Sequence, residues 1–196
     1  MWYCTNSLSA VELLGINRDE VALIMIKFDY AKQAELPKIV AIYNETIPSR
    51  LATTDLKPVS VASRQPWFES FNPDSRPLWV IKDDDKIAGW VGLESFYGRP
   101  AYHKTAEISI YIDKDFRHQG IGQQAIAYVI SQLPRLGLDA LVAFIFSHNQ
   151  TSQHLFKQNQ FETWGHLPDV AIMDGQRRSL DILGRRFQKV SGAKRS

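Results

Sequence analysis

At 196 residues, 44% of them hydrophobic and 22% charged, the chain has room for one domain with a substantial core and is too short for two full ones. A net charge of +2 gives no footing for nucleic acid as the main partner, while the single cysteine, Cys4, excludes an intrachain disulfide, argues against a thiolate metal site and points to a reducing compartment. No apolar run reaches the ~18 residues of a membrane span and no secretory pattern opens the chain, so a cytoplasmic protein without a membrane partner is expected.

In chain order, residues 1–24 carry little apolar surface, although Ser9-Ala10-Val11-Glu12 has the form of a helix cap and Gly15 that of a stop. They are expected to be an appended or mis-assigned leader. Met25 to Phe28 reads as a first strand, opening a domain over 25–187. Ala34 to Ile47 reads as a helix with Leu36, Ile39, Val40 and Tyr43 on one side and Pro37 tolerated in its first turn. Ser60 to Phe71 reads as a second helix with Ser60 as its cap, starting late or bent because of Pro66. Leu78 to Lys82 and Ile87 to Ser95 form a predicted hairpin joined by Asp83-Asp84-Asp85-Lys86.

From Glu107, the residues Ile108, Ile110 and Ile112 alternate with Ser109 and Tyr111, the period of a strand with one apolar face. A helix follows, with Ile121, Ala125, Val129 and Leu133 on one stripe, Gly137 as C-cap and Pro134 distorting its last turn. Leu141 to Phe146 is continuously apolar, as a central strand is. Residues 147–161 read as a loop, a short helix capped near Thr151 or Ser152, and a strand starting at Phe161. Residues 188–196 form a basic, solvated tail. The five tryptophans, at 2, 67, 79, 90 and 164, read as packing residues.

The chemistry concentrates where the Glu107 strand meets the long helix. Arg117-His118-Gln119-Gly120-Ile121-Gly122 enters that helix, and the glycines let backbone N–H groups at the helix start approach an anion that the helix dipole also attracts. No early βαβ unit precedes this loop and no Gly-Lys-Ser/Thr follows it, so it is neither a dinucleotide fingerprint nor a Walker A loop. His118, His148 and His154 have no second ligand at metal spacing, and no metal is expected.

These six residues resemble the R/Q-x-x-G-x-G/A pyrophosphate loop of the GCN5-related N-acetyltransferases, the GNAT family. Asn149, Ser152, Leu155, Phe156 and Phe161 resemble its second coenzyme segment, with two departures. Gln160 replaces the usual glycine of a left-handed turn, and Phe156 replaces the tyrosine that often serves as general acid. IVAIYNETIPSR at 39–50, PVSVASRQPWF at 58–68, GRPAYHKTAEISIYI at 98–112 and the closing RRSLDILG resemble the phosphinothricin and methionine sulfoximine N-acetyltransferases.

The resemblance implies an α/β (α+β) acyl-CoA N-acyltransferase fold, a mixed V-shaped sheet splayed between strands 4 and 5 with helices on both faces. It implies acetyl-CoA as co-substrate, contacted by Ile110, Tyr111, Ile112, Arg117, His118, Gln119, Gly120, Ile121, Gly122, Gln123, Asn149, Ser152 and Phe156. The amides of Ile110 to Ile112, where such strands commonly bulge, would polarise the thioester carbonyl. Glu107 matches the catalytic glutamate, a general base for the attacking amine. Tyr111 reads equally as a proton donor or a half-buried aromatic. Arg99, Pro100, Ala101, Tyr102 and His103 match the substrate loop, with His103 and Lys104 standing where arginine and histidine are usual. Tyr43, Asn44 and Glu45 would complete the pocket.

The implied reaction is direct transfer of acetyl to the amino group of a small amino acid analogue by a detoxifying homodimer. The alternatives are a protein or peptide N-terminal acetyltransferase, and a non-catalytic acetyl-CoA sensor suggested by Phe156 and Gln160. Removing residues 1–24 is expected to leave acetyl transfer intact when thiol release is followed, and a loss of turnover would overturn the leader expectation.

Overall fold

The computed structural model describes residues 26–187. The leader, Cys4, Trp2 and the tail beyond 187 lie outside the described residues. The strands are β1 Ile26–Tyr30, β2 Leu78–Asp83, β3 Lys86–Ser95, β4 Thr105–Ile112, β5 Ala140–Phe146, β6 Glu162–Met173 and β7 Gln176–Arg186. The helices are α1 Leu36–Asn44, α2 Val61–Glu69, α3 Ile121–Leu136 and α4 Gln150–Gln158.

Alternation along β2 divides the core in two. Leu78 and Val80 point to one face, where they meet Trp90, Ile39 and Ile42 and the partly buried Trp67, Phe68 and Phe71, so α1 and α2 cover that side. Trp79 and Ile81 point to the other and pack with Ile121, Ala125, Ile126 and Phe156, so α3 and α4 cover the opposite side. Being buried on both faces, β2 reads as an unbroken apolar run. Ile81, Leu141 and Leu183 are completely buried, and each such side chain stabilises the fold by about 1.5–3 kcal/mol.

The strands run in the order β1-β2-β3-β4-β5-β7-β6. Among the described strands only β4 and β5 pair in parallel, and only through Thr105↔Ala140, Ala106↔Leu141 and Glu107↔Val142. Beyond Glu107, β4 stays with β3 as far as Gly89↔Ile112, while β5 stays with β7 as far as Phe146↔Leu180. The two halves of the sheet therefore part after Glu107, which is the expected splay.

Several predicted boundaries shift. The first strand runs from Ile26 to Tyr30, and the first helix is shorter than 34–47, with Pro37 in its first turn and a 3-10 turn at Ile47–Ser49 after it. Ser60 caps α2 by accepting from the Ser63 amide, but the helix starts at once, with Pro66 inside it. The cap of α4 is Asn149, whose Oδ1 accepts from the Ser152 amide at 3.1 Å, rather than Thr151 or Ser152. Gly137 ends α3 in the left-handed region, as expected. The bulge expected over Ile110 to Ile112 is absent, for β4 keeps an unbroken register with β3; the nearby irregularity lies between β2 and β3, at Ile81/Lys82.

The β6–β7 hairpin turns at Asp174-Gly175, both at positive φ, and ends at Gly184. A Cβ at Gly184 would fall 2.1 Å from Trp164 Cδ2. Gly184→Ala is therefore expected to cost about 1–3 kcal/mol of stability, read as a lowered Tm, with much of the loss recovered in the double variant that also carries Trp164→Ala.

Candidate active site

Where the sheet parts, a cavity of about 290 Å³ opens between the helices α1 and α2 and the strands β3 to β5. Two carboxylates share its strand wall, since Glu94 of β3 and Glu107 of β4 are directly opposed partners. Burial, reinforced by the charge of Glu94, pushes the Glu107 carboxyl up to about 7. Trp67 Nε1 donates to Glu94 Oε1 at 3.3 Å, which holds the second carboxylate against the helix side. Glu107 thus exchanges its proton near neutral pH while lying on a cavity wall, the combination a general base requires.

The aromatic residues fix the cavity's shape. Tyr111 stacks on Trp90 with centroids 4.4 Å apart and donates its hydroxyl to Ala52 O at 3.1 Å. Burial raises its pKa strongly, so the phenol stays protonated and engaged. The Tyr43 hydroxyl bonds Asp55 and Thr53, and burial with the Asp55 contact raises it too. Arg64 Nη2 donates to Asp55 Oδ2 at 2.6 Å, and its guanidinium lies 4.6 Å from the Tyr43 ring centre. Ile39, Val40, Phe144, Phe146 and Leu180 supply the apolar lining.

A second, smaller cavity of about 60 Å³ lies in the gap between β4 and β5. Ala52, Ser109, Tyr111 and Phe144 line both cavities, so the two share walls. Asp113 N–H bonds Ala88 O, and with no register shift in β4 the alternation turns the amides of odd-numbered residues, Tyr111 included, toward β3. Those of Ile110 and Ile112, beyond the last pairing with β5, face the gap. Of the three amides expected to polarise a carbonyl, those of Ile110 and Ile112 face the gap and that of Tyr111 faces β3.

At the far end of the gap, α3 begins at Gly120, left-handed at φ +75° with no side chain capping the helix and nothing within 4 Å of where a Cβ would stand. The first amides of α3 are therefore open to an anion, as a pyrophosphate requires. Gly122 does something else: a Cβ there would lie 2.9 Å from Leu155 Cδ2, so its bareness lets α3 approach α4. Ile121 is buried and offers only its main chain. Arg117, exposed overall, turns its Nε to Ile112 O at 3.2 Å, and Gln119 donates to Asp115 O. His118 sits at φ 62° in the same loop. The Gln123 side chain faces away from it, exchanging amide hydrogen bonds of 2.8 and 2.7 Å with Asn159. Asn149, Ser152 and Phe156 line the second cavity, with Asn149 Nδ2 donating to Leu51 O at 3.0 Å and Phe156 edge-on to Phe161. Gln160 is left-handed at φ 61°, and its Oε1 accepts from Arg185.

The expected substrate loop is elsewhere. Arg99, Pro100, Ala101, Tyr102 and His103 line neither cavity; they form an exposed 3-10 turn in which Tyr102 packs on Phe96 and Arg76 holds the His103 carbonyl. Asn44 clips both polar groups of Val59, and Glu45 accepts from the Lys114 amide, so of that trio only Tyr43 reaches the cavity. Sequence reasoning missed Arg64, Trp67 and Glu94. Arg64 and Trp67 stand three apart on α2, a spacing that places them on one helix face, whereas Glu94 becomes significant only through strand register. Among the described residues no group of three or more His, Cys, Asp or Glu is arranged to hold a metal ion, and no helix is long and apolar enough to cross a membrane.

Residues 37–161 match the acetyltransferase (GNAT) family. YwnH of Bacillus subtilis (strain 168), named provisionally as a phosphinothricin acetyltransferase, is 47% identical over 156 residues, covering 79% of this chain and 95% of that protein. The L-methionine sulfoximine/L-methionine sulfone acetyltransferase of Pseudomonas paraeruginosa is 32% identical over 150 residues, covering 76% and 86%. In fold, the chain is similar to a phosphinothricin acetyltransferase from Sinorhizobium meliloti solved with acetyl-CoA, at a TM-score of 0.78 and 23% identity, covering 87% and 93%.

The carboxylate pair makes the pH dependence specific. The turnover rate is expected to rise as pH passes through about 7, because the ionised Glu107 is the form that accepts a proton. Glu94→Gln should move that midpoint downward, as one charge is lost while burial remains, and Glu107→Gln should lower kcat by about 10²–10⁴-fold, both measured by thiol release.

Proposed function

The chain belongs to the acetyltransferase (GNAT) family, and from that premise we propose that it transfers acetyl from acetyl-CoA to the amino group of a small amino acid analogue, with both substrates bound at once. The observation that carries this reading is the position of Glu107. It occupies the last β4 position paired with β5, where the gap and the larger cavity share their walls.

Acetyl-CoA supplies an acyl group activated as a thioester. The first amides of α3, with Arg117 beside them, hold the pyrophosphate, and the gap flanked by Asn149, Ser152 and Phe156 takes the arm that follows it. The amides of Ile110 and Ile112 polarise the acyl carbonyl. Glu107 removes the proton from the acceptor's ammonium, directly or through a water, and its raised pKa suits that exchange at neutral pH. Among the described residues no histidine or cysteine lines either cavity, so the walls offer no Ser-His or Cys-His pair for an acyl-enzyme, which favours direct attack by the amine. Phe156 offers no hydroxyl and that of Tyr111 is engaged, so the departing thiolate takes its proton from the attacking amine.

The relatives' names point to acceptors of the methionine sulfoximine, methionine sulfone and phosphinothricin kind, and a cavity of about 290 Å³ suits molecules of that size better than a peptide. A cytoplasmic homodimer that detoxifies such analogues through residues 25–187 completes the proposal. The deciding experiment sets those three compounds against short peptides and polyamines, scored by thiol release from acetyl-CoA. Turnover concentrated on the amino acid analogues is expected; faster turnover of peptides would replace this reading with the N-terminal acetyltransferase one, and coenzyme binding without any turnover would replace it with the sensor.

A further inference from the structure

We propose that Arg64 grips the carboxylate of the acceptor and so makes the enzyme selective for amino acids over plain amines, a role that rests on the small amino acid reading above. Among the described residues, Arg64 is the only cationic one lining the larger cavity. The cation that sequence resemblance would have supplied, Arg99, lines neither cavity. No lysine lines either cavity among the described residues, and Lys38 of α1 is paired with Asp113 at 2.6 Å.

The guanidinium is positioned before any ligand arrives. Asp55 holds one of its nitrogens, the Tyr43 ring lies against its plane, and Asp55 is itself held by the Tyr43 hydroxyl. Among the described residues, Arg64 makes no other side-chain hydrogen bond, so most of its five donors remain for a ligand. A planar fork with free donors fits a carboxylate through two parallel hydrogen bonds.

The cavity is polarised to match. On the strand wall stand Glu107 and Glu94, which attract an ammonium; on the helix wall, one turn from Trp67, stands Arg64. An α-amino acid is a zwitterion, and only one orientation satisfies both walls. That orientation brings its amine to the base. A plain amine would lack the second anchor and bind in several poses.

Arg64 also ties the 51–59 segment to α2 through Asp55, so the test must separate grip from scaffolding. Methionine sulfone and its decarboxylated counterpart, 3-(methylsulfonyl)propan-1-amine, differ by the carboxylate alone. The unaltered chain should prefer the amino acid, and Arg64→Gln should raise KM for methionine sulfone by about 10- to 100-fold while leaving KM for the amine within about twofold. Arg64→Lys, which keeps the charge and loses the fork, should give an intermediate rise, and it decides the matter should Arg64→Gln fail to fold. Equal losses on both compounds, or no preference in the unaltered chain, would overturn the proposal while leaving the acetyltransferase intact. Turnover of peptides with neither compound accepted would remove the substrate reading and this proposal together.

Discussion

Parting of the sheet after Glu107↔Val142 is the constraint from which the rest follows. A strand that loses its neighbour exposes a row of main-chain amides, and an unpaired amide inside a protein needs a partner. Here the unpaired edge of β4 lines the second cavity, and the unpaired edge of β5 forms its facing wall. The same parting exposes Glu107 to a cavity while leaving it buried enough to hold its proton near neutrality. Geometry and acidity therefore have one cause.

The electrostatic layout extends that logic. Two carboxylates directly opposed on adjacent strands repel each other, an arrangement that costs stability in an ordinary sheet. Trp67 restrains one of them through a hydrogen bond, and burial raises the pKa of the other. The aromatic residues lining the cavity commit their own polar atoms to nearby partners, Trp90 to Ile39 O and Tyr111 to Ala52 O.

Much of this was legible in the chain. The alternation of Ile108, Ile110 and Ile112, the hairpin at Asp83–Lys86 and the glycine-opened helix at 120 are local signals, and local signals fix elements well. The Asp174-Gly175 turn was also readable as a dipeptide and was overlooked. What could not be read is register and distance. Glu94 is one of many strand-end acids until pairing sets it opposite Glu107, and Arg64 is a surface-type residue on a weakly patterned helix until folding turns it inward. Conversely, the 99–103 segment looked like a site by position along the chain, yet its aromatic contacts with Phe96 and Tyr97 hold it on the exterior. Gly122 shows the same ambiguity from the other side: it belonged to a phosphate-binding pattern, and its visible duty is close packing of two helices.

The left-handed Gln160 has an implication for how sequence departures are weighed. Forcing a side chain into that conformation costs about 1–2 kcal/mol, but glycine would leave the unfolded chain more disordered, and Arg185 bonds both the Gln160 side chain and the preceding carbonyl. The opposing contributions are of similar size. A glycine-to-glutamine exchange at this turn therefore shifts the balance of folding little, and it does so away from the carboxylate pair on the cavity wall.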